Sequence, residues 1–377
     1  MPAYGCGTWG LNAKGRLVPT EEQLISELMA FIAGADAAEA AFDRLALRLF
    51  AYQFEHNPPF RRFATQRGRT IRTVRNWRDI PAVPISTFKD LTLCCRPPEL
   101  AERIFMTSGT TREGLRGKSF HTTLEVYDAS MTTNFRRRVM AGREPIRMGI
   151  LFPSEQAMPN SSLAHYLALA ARHFGTPESH HLIDASGLDE TRFLAELAHA
   201  EATGEPYALL GASYGFVPVL DALARRSQSF ALPEGSWLLD TGGFKGQSRD
   251  IPLEEFYAQL ATALGVPRRR CINMYGMTEL STQFYDAGNE TCPAVKSGPH
   301  WIRTRAVDPL TGNDVPRGSV GLLSHCDLAH FNMVSTILTE DAGIMTDGGF
   351  LLLGRADGDE AKGCSMAVEE FLLAAQG

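Results

Sequence analysis

MGILF at residues 148–152 begins a stretch in which short apolar runs alternate with amphipathic runs as far as CINMYG at residues 271–276. The apolar runs include YALLG at 207–211 and SWLLDTGG at 236–243, and a typical amphipathic run is SSLAHYLALAARHF at 161–174. Short apolar runs favour buried strands, whereas apolar residues spaced three or four apart favour helices. The order predicts a layered α/β domain with a largely parallel sheet, whose ligand site lies beyond the carboxyl ends of the strands.

The flanking segments have different patterns. The N-terminal hundred residues are predicted to be helical, with a capping box at Thr20 and Gln23 and a second helix over residues 38–55. After residue 290, shorter strands with turn residues predict a mixed β subdomain, and residues 366–375 predict a final helix. We therefore divide the chain into a helical N-terminal part (1–100), an α/β nucleotide- and substrate-binding core (101–290), a β-rich subdomain (291–354) and a hinge with a truncated C-terminal stub (355–377).

Composition narrows the class of protein. The 377 residues are 44% hydrophobic and 21% charged, as in a soluble globular protein. The net charge of −6 gives no broad positive field, so nucleic acid is not an expected partner. The longest apolar stretch, residues 207–220, is broken by glycines and a proline, and the N-terminus shows no secretion signal, so no membrane contact is expected. Seven cysteines without a C-x-x-C pair predict free thiols and a cytoplasmic location.

Residues 107–111 read TSGTT, with Arg116, Gly117 and Lys118 shortly after them. Hydroxyl groups, glycine N–H groups and nearby cations together can cradle a polyphosphate. The segment is not a Walker loop because no Gly-Lys-Ser/Thr ending follows. A plain solvated turn is the alternative.

Further segments carry candidate chemistry. In NMYGMTE at 273–279, Tyr275 could stack on a planar ligand and Glu279 could face a hard cation such as Mg²⁺. In DTGGFKG at 240–246, two glycines let a ligand approach the backbone. The segments EDAG at 340–343 and GRADG at 354–358 add an acid and an arginine beside glycines. Each could instead be a turn with solvated charges.

Together, these segments resemble the adenylate-forming (ANL) superfamily in order and spacing. The most similar branch is that of the acyl-protein synthetase LuxE and the phenylacetate–CoA ligases, with FPS at Phe152, INMYGMTE, TED at 339–341 and a GR…GCS ending. A phenazine-pathway member of the superfamily is similar in length. The resemblance implies an ANL-type N-terminal adenylation domain, with parallel and mixed sheets flanked by helices and a smaller β subdomain. It also leads us to expect that the C-terminal ANL domain is missing.

The resemblance implies ATP and Mg²⁺ as cofactors and assigns roles to residues. Glu279 would hold Mg²⁺, and Thr278 would face the α-phosphate. The ATP β- and γ-phosphates would be held by Thr107, Ser108, Gly109, Thr110 and Thr111, and adenine and ribose by Gly242, Gly243, Tyr275, Asp341 and Arg355. The acid would lie among Phe152, His165, Gly211, Ser213, Gly276 and Met277.

The sequence departs from the superfamily in two respects. Arg112-Glu113-Gly114-Leu115 stands where Gly-x-Pro-Lys is usual, so the loop lysine is absent unless Arg116 or Lys118 replaces it. If the C-terminal domain is missing, as expected, its lysine is absent too, which would leave Lys245 or a partner protein to assist catalysis. Cys364, beside Lys362, lies where LuxE-type proteins carry an acyl-accepting cysteine; an unreactive free thiol is the alternative.

The function implied is ATP-dependent adenylation of a carboxylic acid to an acyl-AMP. An aryl acid such as a phenazine carboxylate is favoured over a fatty acid. Hand-over to a partner, such as a reductase that yields an aldehyde, would place the chain in antibiotic biosynthesis. Two alternatives remain open: a weakly active or inactive remnant that binds a nucleotide or carboxylate, and an α/β-hydrolase. The hydrolase would use Ser213 in G-x-S-x-G, with Asp240 and either His300 or His325.

Overall fold

The computed structural model describes residues 10–11, 17–35, 38–107, 116–244, 249–356 and 358–376; for residues 10, 11, 17, 358–365 and 376 it describes the backbone only. The helices are α1 Glu21–Ala33, α2 Glu39–His56, α3 Pro58–Gln66, α4 Glu125–Phe135, α5 Ser162–Phe174, α6 Glu190–Thr203, α7 Phe216–Arg226, α8 Leu253–Leu264 and α9 Gly358–Gln376. The strands are β1 Gly10–Leu11, β2 Leu17–Val18, β3 Val83–Pro84, β4 Arg103–Met106, β5 Lys118–His121, β6 Arg147–Leu151, β7 His180–His181, β8 Ile183–Asp184, β9 Gly187–Leu188, β10 Tyr207–Ala212, β11 Trp237–Thr241, β12 Cys271–Tyr275, β13 Phe284–Tyr285, β14 Val295–Lys296, β15 Ile302–Val307, β16 Val320–Asp327, β17 Thr336–Met345 and β18 Phe350–Arg355. None of the described helices is both long and apolar enough to span a membrane.

The N-terminal helices form as the sequence predicts. Thr20 and Gln23 make the capping box of α1, and Leu24, Leu28 and Ile32 form the buried stripe of that helix because they lie four residues apart. The predicted second helix is α2, and Asn57 then caps α3. Both predictions for this part of the chain are confirmed.

The central sheet has the strand order β13-β12-β11-β10-β6-β7. All neighbours in it are parallel except β12 and β13. Alternate residues of β10 face opposite layers, with Ala208 and Leu210 packing towards α4 and α5, and Leu209 packing towards α6, α7 and α8. The predicted layered α/β architecture is therefore confirmed.

A second sheet has the order β14-β18-β17-β16-β15, with antiparallel neighbours. The short strand β3 pairs in parallel with β17, so the N-terminal part adds a strand to this sheet. Side chains of α1, α2 and α3 share one apolar core with Leu323 of β16 and Ile337 of β17. The predicted β-rich region thus packs directly on the helical N-terminal part.

The C-terminal helix α9 is longer than predicted. The apolar pattern indicated residues 366–375, but the helix begins at residue 358, in a polar segment where glycines lower helix propensity. Phe371 packs on Phe63 of α3 with ring centroids 4.5 Å apart, and Glu370 forms an ion pair with Arg67. The C-terminal helix is therefore docked on the N-terminal helices.

Candidate active site

Several predicted site segments follow strands of the central sheet. Phe152 follows β6, Ser213 follows β10, Gly242 and Gly243 follow β11, and Gly276 follows β12. These four strands are parallel neighbours, so their carboxyl ends lie at one edge of the sheet. At Gly243 an added Cβ would meet no atom of the described residues within 4 Å.

The serine- and threonine-rich segment connects the two strands of a hairpin. Strands β4 and β5 pair antiparallel, with Met106 opposite Lys118. The Thr107 N–H donates to the Gly117 carbonyl oxygen at 3.0 Å, and the Gly117 N–H donates to Thr107 Oγ1 at 3.0 Å. Ser108, Gly109, Thr110, Thr111 and the four residues after them lie outside the described residues. The structure thus fixes the neck of this loop, formed by Thr107 and Gly117.

Glu279 lies against the neck. A Cβ atom added at Gly117 would lie 2.7 Å from Glu279 Oε1, and the Glu279 side chain is buried. Burial raises the pKa of Glu279 to about 7, although the positive charges of Lys89 and Arg355 oppose the shift. A buried carboxylate in this position gains stability from a cation, as Mg²⁺ coordination would supply.

Tyr275 links the two sheets. Its hydroxyl donates to Asp341 Oδ2 at 2.8 Å, while its ring packs among Phe284 and Phe350. Arg355 Nε lies 3.5 Å from Asp341 Oδ1, because Asp341 and Arg355 are register partners on β17 and β18. The structure therefore brings Tyr275, Asp341 and Arg355 together.

The side-chain chemistry suits a magnesium nucleotide. The described residues contain no group of three or more His, Cys, Asp or Glu side chains that could hold a metal by themselves. Mg²⁺ is usually bound through one or two carboxylates together with substrate phosphates, and the Glu279 carboxylate fits that kind of site. Asp341 can accept hydrogen bonds from hydroxyl groups.

The hydrolase alternative is wrong. Ser213 is buried and donates directly to Asp240 Oδ2 at 2.6 Å, with no histidine between them. His300 Nε2 is bonded to the Phe31 carbonyl oxygen, and His325 Nδ1 to Thr304.

The G-x-S-x-G spacing has a packing explanation. An added Cβ at Gly211 would lie 2.6 Å from the Leu151 carbonyl oxygen, and one at Gly215 would lie 2.5 Å from the same atom. Both glycines therefore permit close backbone approach to the end of β6. Asp240 also accepts from Tyr257 and Asn273, and burial raises its pKa.

His165 has no ring nitrogen available to a substrate. Its Nδ1 lies 2.6 Å from Glu155 Oε1, and its Nε2 lies 2.8 Å from Asp128 Oδ1. Burial lowers the pKa of His165, but hydrogen bonds and charges from the two carboxylates outweigh burial and raise it. The imidazole therefore acts as a clamp between α4, α5 and the segment after β6. Phe152 is likewise buried, in the apolar core beside the central sheet.

The remaining predicted residues divide into two groups. Thr278 is buried beside Glu279, while Met277 is partly buried. Lys245 and the side chain of Cys364 lie outside the described part of the chain. Sequence reasoning missed Lys89, which influences Glu279, because the residue lies in a proline-rich segment without a recognisable motif.

Solved adenylate-forming ligases share this fold. An open conformation of 2-hydroxyisobutyryl-CoA ligase, in complex with 2-HIB-AMP and CoA, aligns with a TM-score of 0.62 at 15% identity, over 84% of this chain and 75% of that one. The same ligase in its postadenylation state aligns with a TM-score of 0.57 at 13% identity, over 89% of this chain and 68% of the ligase. At sequence identities of 13–15%, this structural similarity shows that the two proteins share a fold.

Two characterised relatives are similar in sequence. The long-chain-fatty-acid–luciferin-component ligase of Vibrio harveyi is 23% identical over 309 residues, 81% of this chain and 79% of the relative. The protein with the same name from Aliivibrio fischeri is 21% identical over 311 residues, with the same coverage. The acyl-protein synthetase LuxE family model matches residues 18–373. Because that match spans nearly the whole chain, the protein belongs to the LuxE family of acyl-protein synthetases and is an enzyme of the ligase type.

Proposed function

We propose that this protein activates a carboxylic acid with ATP. In the reaction, a substrate carboxylate oxygen attacks the α-phosphorus of ATP, the bond to the β-phosphate oxygen breaks, and pyrophosphate leaves as acyl-AMP forms. The observation that carries the proposal is the position of Glu279 against the loop neck. Arg355 joins this carboxylate to the Tyr275–Asp341 pair, because it lies 3.5 Å from Asp341 and its positive charge acts on Glu279. Phosphoryl chemistry of this kind depends on positioning and charge neutralisation, which these groups can supply.

Each group has a place in the reaction. Glu279 would hold Mg²⁺, which neutralises phosphate charge when bound. Thr107 and Gly117 set the two ends of the phosphate loop, so the loop begins and ends beside that carboxylate. Asp341 would accept from the ribose hydroxyls, and the described residues leave room for a flat base beside the Gly243 backbone.

A fatty acid is the better supported substrate class. Both similar ligases are named for long-chain fatty acids, and the family model is that of acyl-protein synthetases. The preference for an aryl acid such as a phenazine carboxylate stays a prediction of the sequence, as does a role in antibiotic biosynthesis. The family also favours an active enzyme over a nucleotide-binding remnant.

The acyl group would next pass to a thiol. Cys364 is a residue of α9, and this helix packs against β17, which carries Asp341, and against the 3₁₀ turn Ile85–Lys89. The thiolate sulfur would attack the acyl carbonyl, the bond between the acyl carbon and the phosphate oxygen of the mixed anhydride would break, and AMP would leave. A partner reductase could then reduce the thioester to an aldehyde with a hydride donor.

Mass spectrometry of the products tests the proposal. Wild-type protein incubated with ATP, Mg²⁺ and a panel of fatty and aryl acids should yield acyl-AMP from one class of acid. Intact-mass analysis should show an acyl adduct that is lost in Cys364→Ser, whereas acyl-AMP formation is retained. ATP binding without any acyl-AMP would instead support the remnant. An adduct that persists in Cys364→Ser would show that a residue other than Cys364 accepts the acyl group.

A further inference from the structure

A cation-lined cavity adjoins the loop neck. It has a volume of about 320 Å³ and includes Lys89, Arg116 and Lys118 among its lining residues. Among the described lining residues, Asp90 is the one acidic member. Within the described part of the chain, none of the three cations has a carboxylate oxygen within 4.0 Å. Among the described residues, this cluster therefore carries positive charge without a carboxylate in ion-pair contact.

Lys89 is held at this cavity by a well-packed turn. It is the last residue of the 3₁₀ turn Ile85–Lys89, in which Thr87 Oγ1 donates to the Pro84 carbonyl oxygen at 2.6 Å. Phe88 is buried, and its Cβ lies 3.6 Å from the position of a Cβ at Gly117. The turn also packs against β5, β17 and α9. The base of the Lys89 side chain is thus fixed beside the loop neck.

The turn that ends at Lys89 and the Glu279 side chain both approach the loop neck at Gly117. The position of a Cβ atom at Gly117 lies 3.6 Å from Phe88 Cβ, in the residue before Lys89, and 2.7 Å from Glu279 Oε1. Among the described residues, Lys89 and Glu279 form no ion pair. A magnesium ion on the carboxylate and an anionic group on the lysine would together satisfy both.

We propose that Lys89, with Arg116 and Lys118 at the rim, binds the polyphosphate of the reaction and takes the place of the lysine that the phosphate loop lacks. The ligand chemistry is that of the ATP β- and γ-phosphates or of the pyrophosphate that leaves. This inference rests on the proposed function, because it assigns one group to that site. It also makes the N-terminal part of the chain a contributor to nucleotide binding.

Two measurements on purified full-length protein test the proposal. Inorganic pyrophosphate is titrated calorimetrically into wild type, Lys89→Met, Lys89→Arg and Arg72→Met. The same proteins are assayed for acyl-AMP formation, with KM determined separately for ATP and for the acid. Arg72 is exposed and does not line the cavity, so Arg72→Met is the control that removes one positive charge away from the proposed site.

We expect Lys89→Met to weaken pyrophosphate binding and to raise the KM for ATP, each about 10- to 100-fold, since a hydrogen bond to a charged group is lost. The KM for the acid should stay unchanged, Lys89→Arg should retain most of the affinity, and Arg72→Met should match wild type. An effect on pyrophosphate alone would assign Lys89 to the leaving group. An effect on ATP as well would assign it to both.

The outcomes separate this inference from the proposed function. If wild type binds pyrophosphate through Lys89 but makes no acyl-AMP, the role of Lys89 is supported and the proposed activity is refuted. If wild type makes acyl-AMP and Lys89→Met is unchanged in both measurements, the role of Lys89 is refuted and the proposed activity is supported. A parallel rise in the KM for the acid would also overturn it, because that result indicates a general distortion.

Discussion

Glu279 combines two properties that seldom occur together in one side chain. It is only 4% exposed, yet it carries a carboxylate that faces the loop neck. Burial raises its pKa to about 7, so near neutral pH the group changes charge readily. As pH rises through this range, Mg²⁺ binding should therefore strengthen, whereas the stability of the fold should fall.

Magnesium affinity should follow the ionisation of Glu279. Only the carboxylate form binds the cation, so the apparent affinity for Mg²⁺ in the presence of ATP should strengthen about tenfold per pH unit below about 7 and level off above it. Titration of Mg²⁺ at several pH values checks this. In Glu279→Gln the pH dependence should vanish, and its persistence there would assign it to another group.

Stability should depend on the same group. The folded-state pKa lies above the ordinary 4.5, so the folded protein loses stability as pH rises from about 4.5 to about 7. The full shift corresponds to about 3 kcal/mol. We expect Glu279→Gln to be more stable than wild type above neutral pH by up to about that amount, with the gain shrinking towards acid. Urea unfolding at two pH values measures the difference, and an equal gain at both would contradict the explanation.

A side chain at Gly117 should fit only if the Glu279 side chain shifts. A Cβ there would lie 2.7 Å from Glu279 Oε1 and 3.1 Å from Thr107 Cγ2, so Gly117→Ala must displace the carboxylate. We expect weaker Mg²⁺ binding and a loss of about 1–3 kcal/mol in unfolding free energy. Gly348→Ala is the matched control, because its nearest atom would be 4.0 Å away. Magnesium affinity equal in the two variants would count against this placement of Glu279.

At the scale of elements, the His165 clamp joins α4, α5 and the segment that follows β6. Glu155 also pairs with Arg103 of β4 at 2.9 Å, so the clamp reaches the hairpin that carries the phosphate loop. Because the folded-state pKa of His165 is raised, its stabilisation is complete below the ordinary value and is lost as pH rises through the folded value.

His165→Gln should therefore lower the free energy of unfolding most at acid pH. We expect a loss of about 1–3 kcal/mol near pH 6, because the partly buried carboxylates of Glu155 and Asp128 lose a charged hydrogen-bond partner. The loss should be smaller near pH 9. Chemical unfolding at the two pH values measures the cost, and a cost that grows with pH would refute a charged His165.

Docking of α9 should be separable from acid activation. Phe371 is fully buried, so Phe371→Ala should cost about 3–5 kcal/mol and loosen α9 from α3. Acyl transfer to Cys364 should then fall more than acyl-AMP formation. Hydrogen exchange of α9 and intact mass report the two effects. Leu373→Ala, at a position 72% exposed on the same helix, is the control and should behave as wild type.

At the scale of the whole molecule, two sheets and the N-terminal helices meet around one site. The central sheet supplies Tyr275, the second sheet supplies Asp341, and the β4–β5 hairpin brings the loop neck to Glu279. The N-terminal part contributes β3 and the turn that ends at Lys89. This assembly depends on contacts between residues far apart in sequence.

Local patterns predicted much of this arrangement. Apolar periodicity indicated the parallel sheet from β6 to β12, and the capping box at Thr20 marked the start of α1. The family motifs selected Glu279, Tyr275 and Asp341, which the structure brings to one region. Such features are visible in sequence because they depend on neighbouring residues or on a shared motif.

Other features depend on tertiary contacts that sequence patterns do not contain. The pairing of His165 with two carboxylates, the bond from Ser213 to Asp240 and the approach of Lys89 to Glu279 all join separate elements. The serine in G-x-S-x-G suggested a nucleophile because spacing alone does not distinguish close backbone packing from catalysis. The domain boundaries and the roles assigned to individual site residues stay predictions.

The most direct test of acid activation is exchange of labelled pyrophosphate into ATP, measured with and without a carboxylic acid. We expect exchange in wild type only when a suitable acid is present, and a rate about 10²–10³-fold lower in Glu279→Gln. No exchange with any fatty or aryl acid, or exchange at the full rate in Glu279→Gln, would contradict the account.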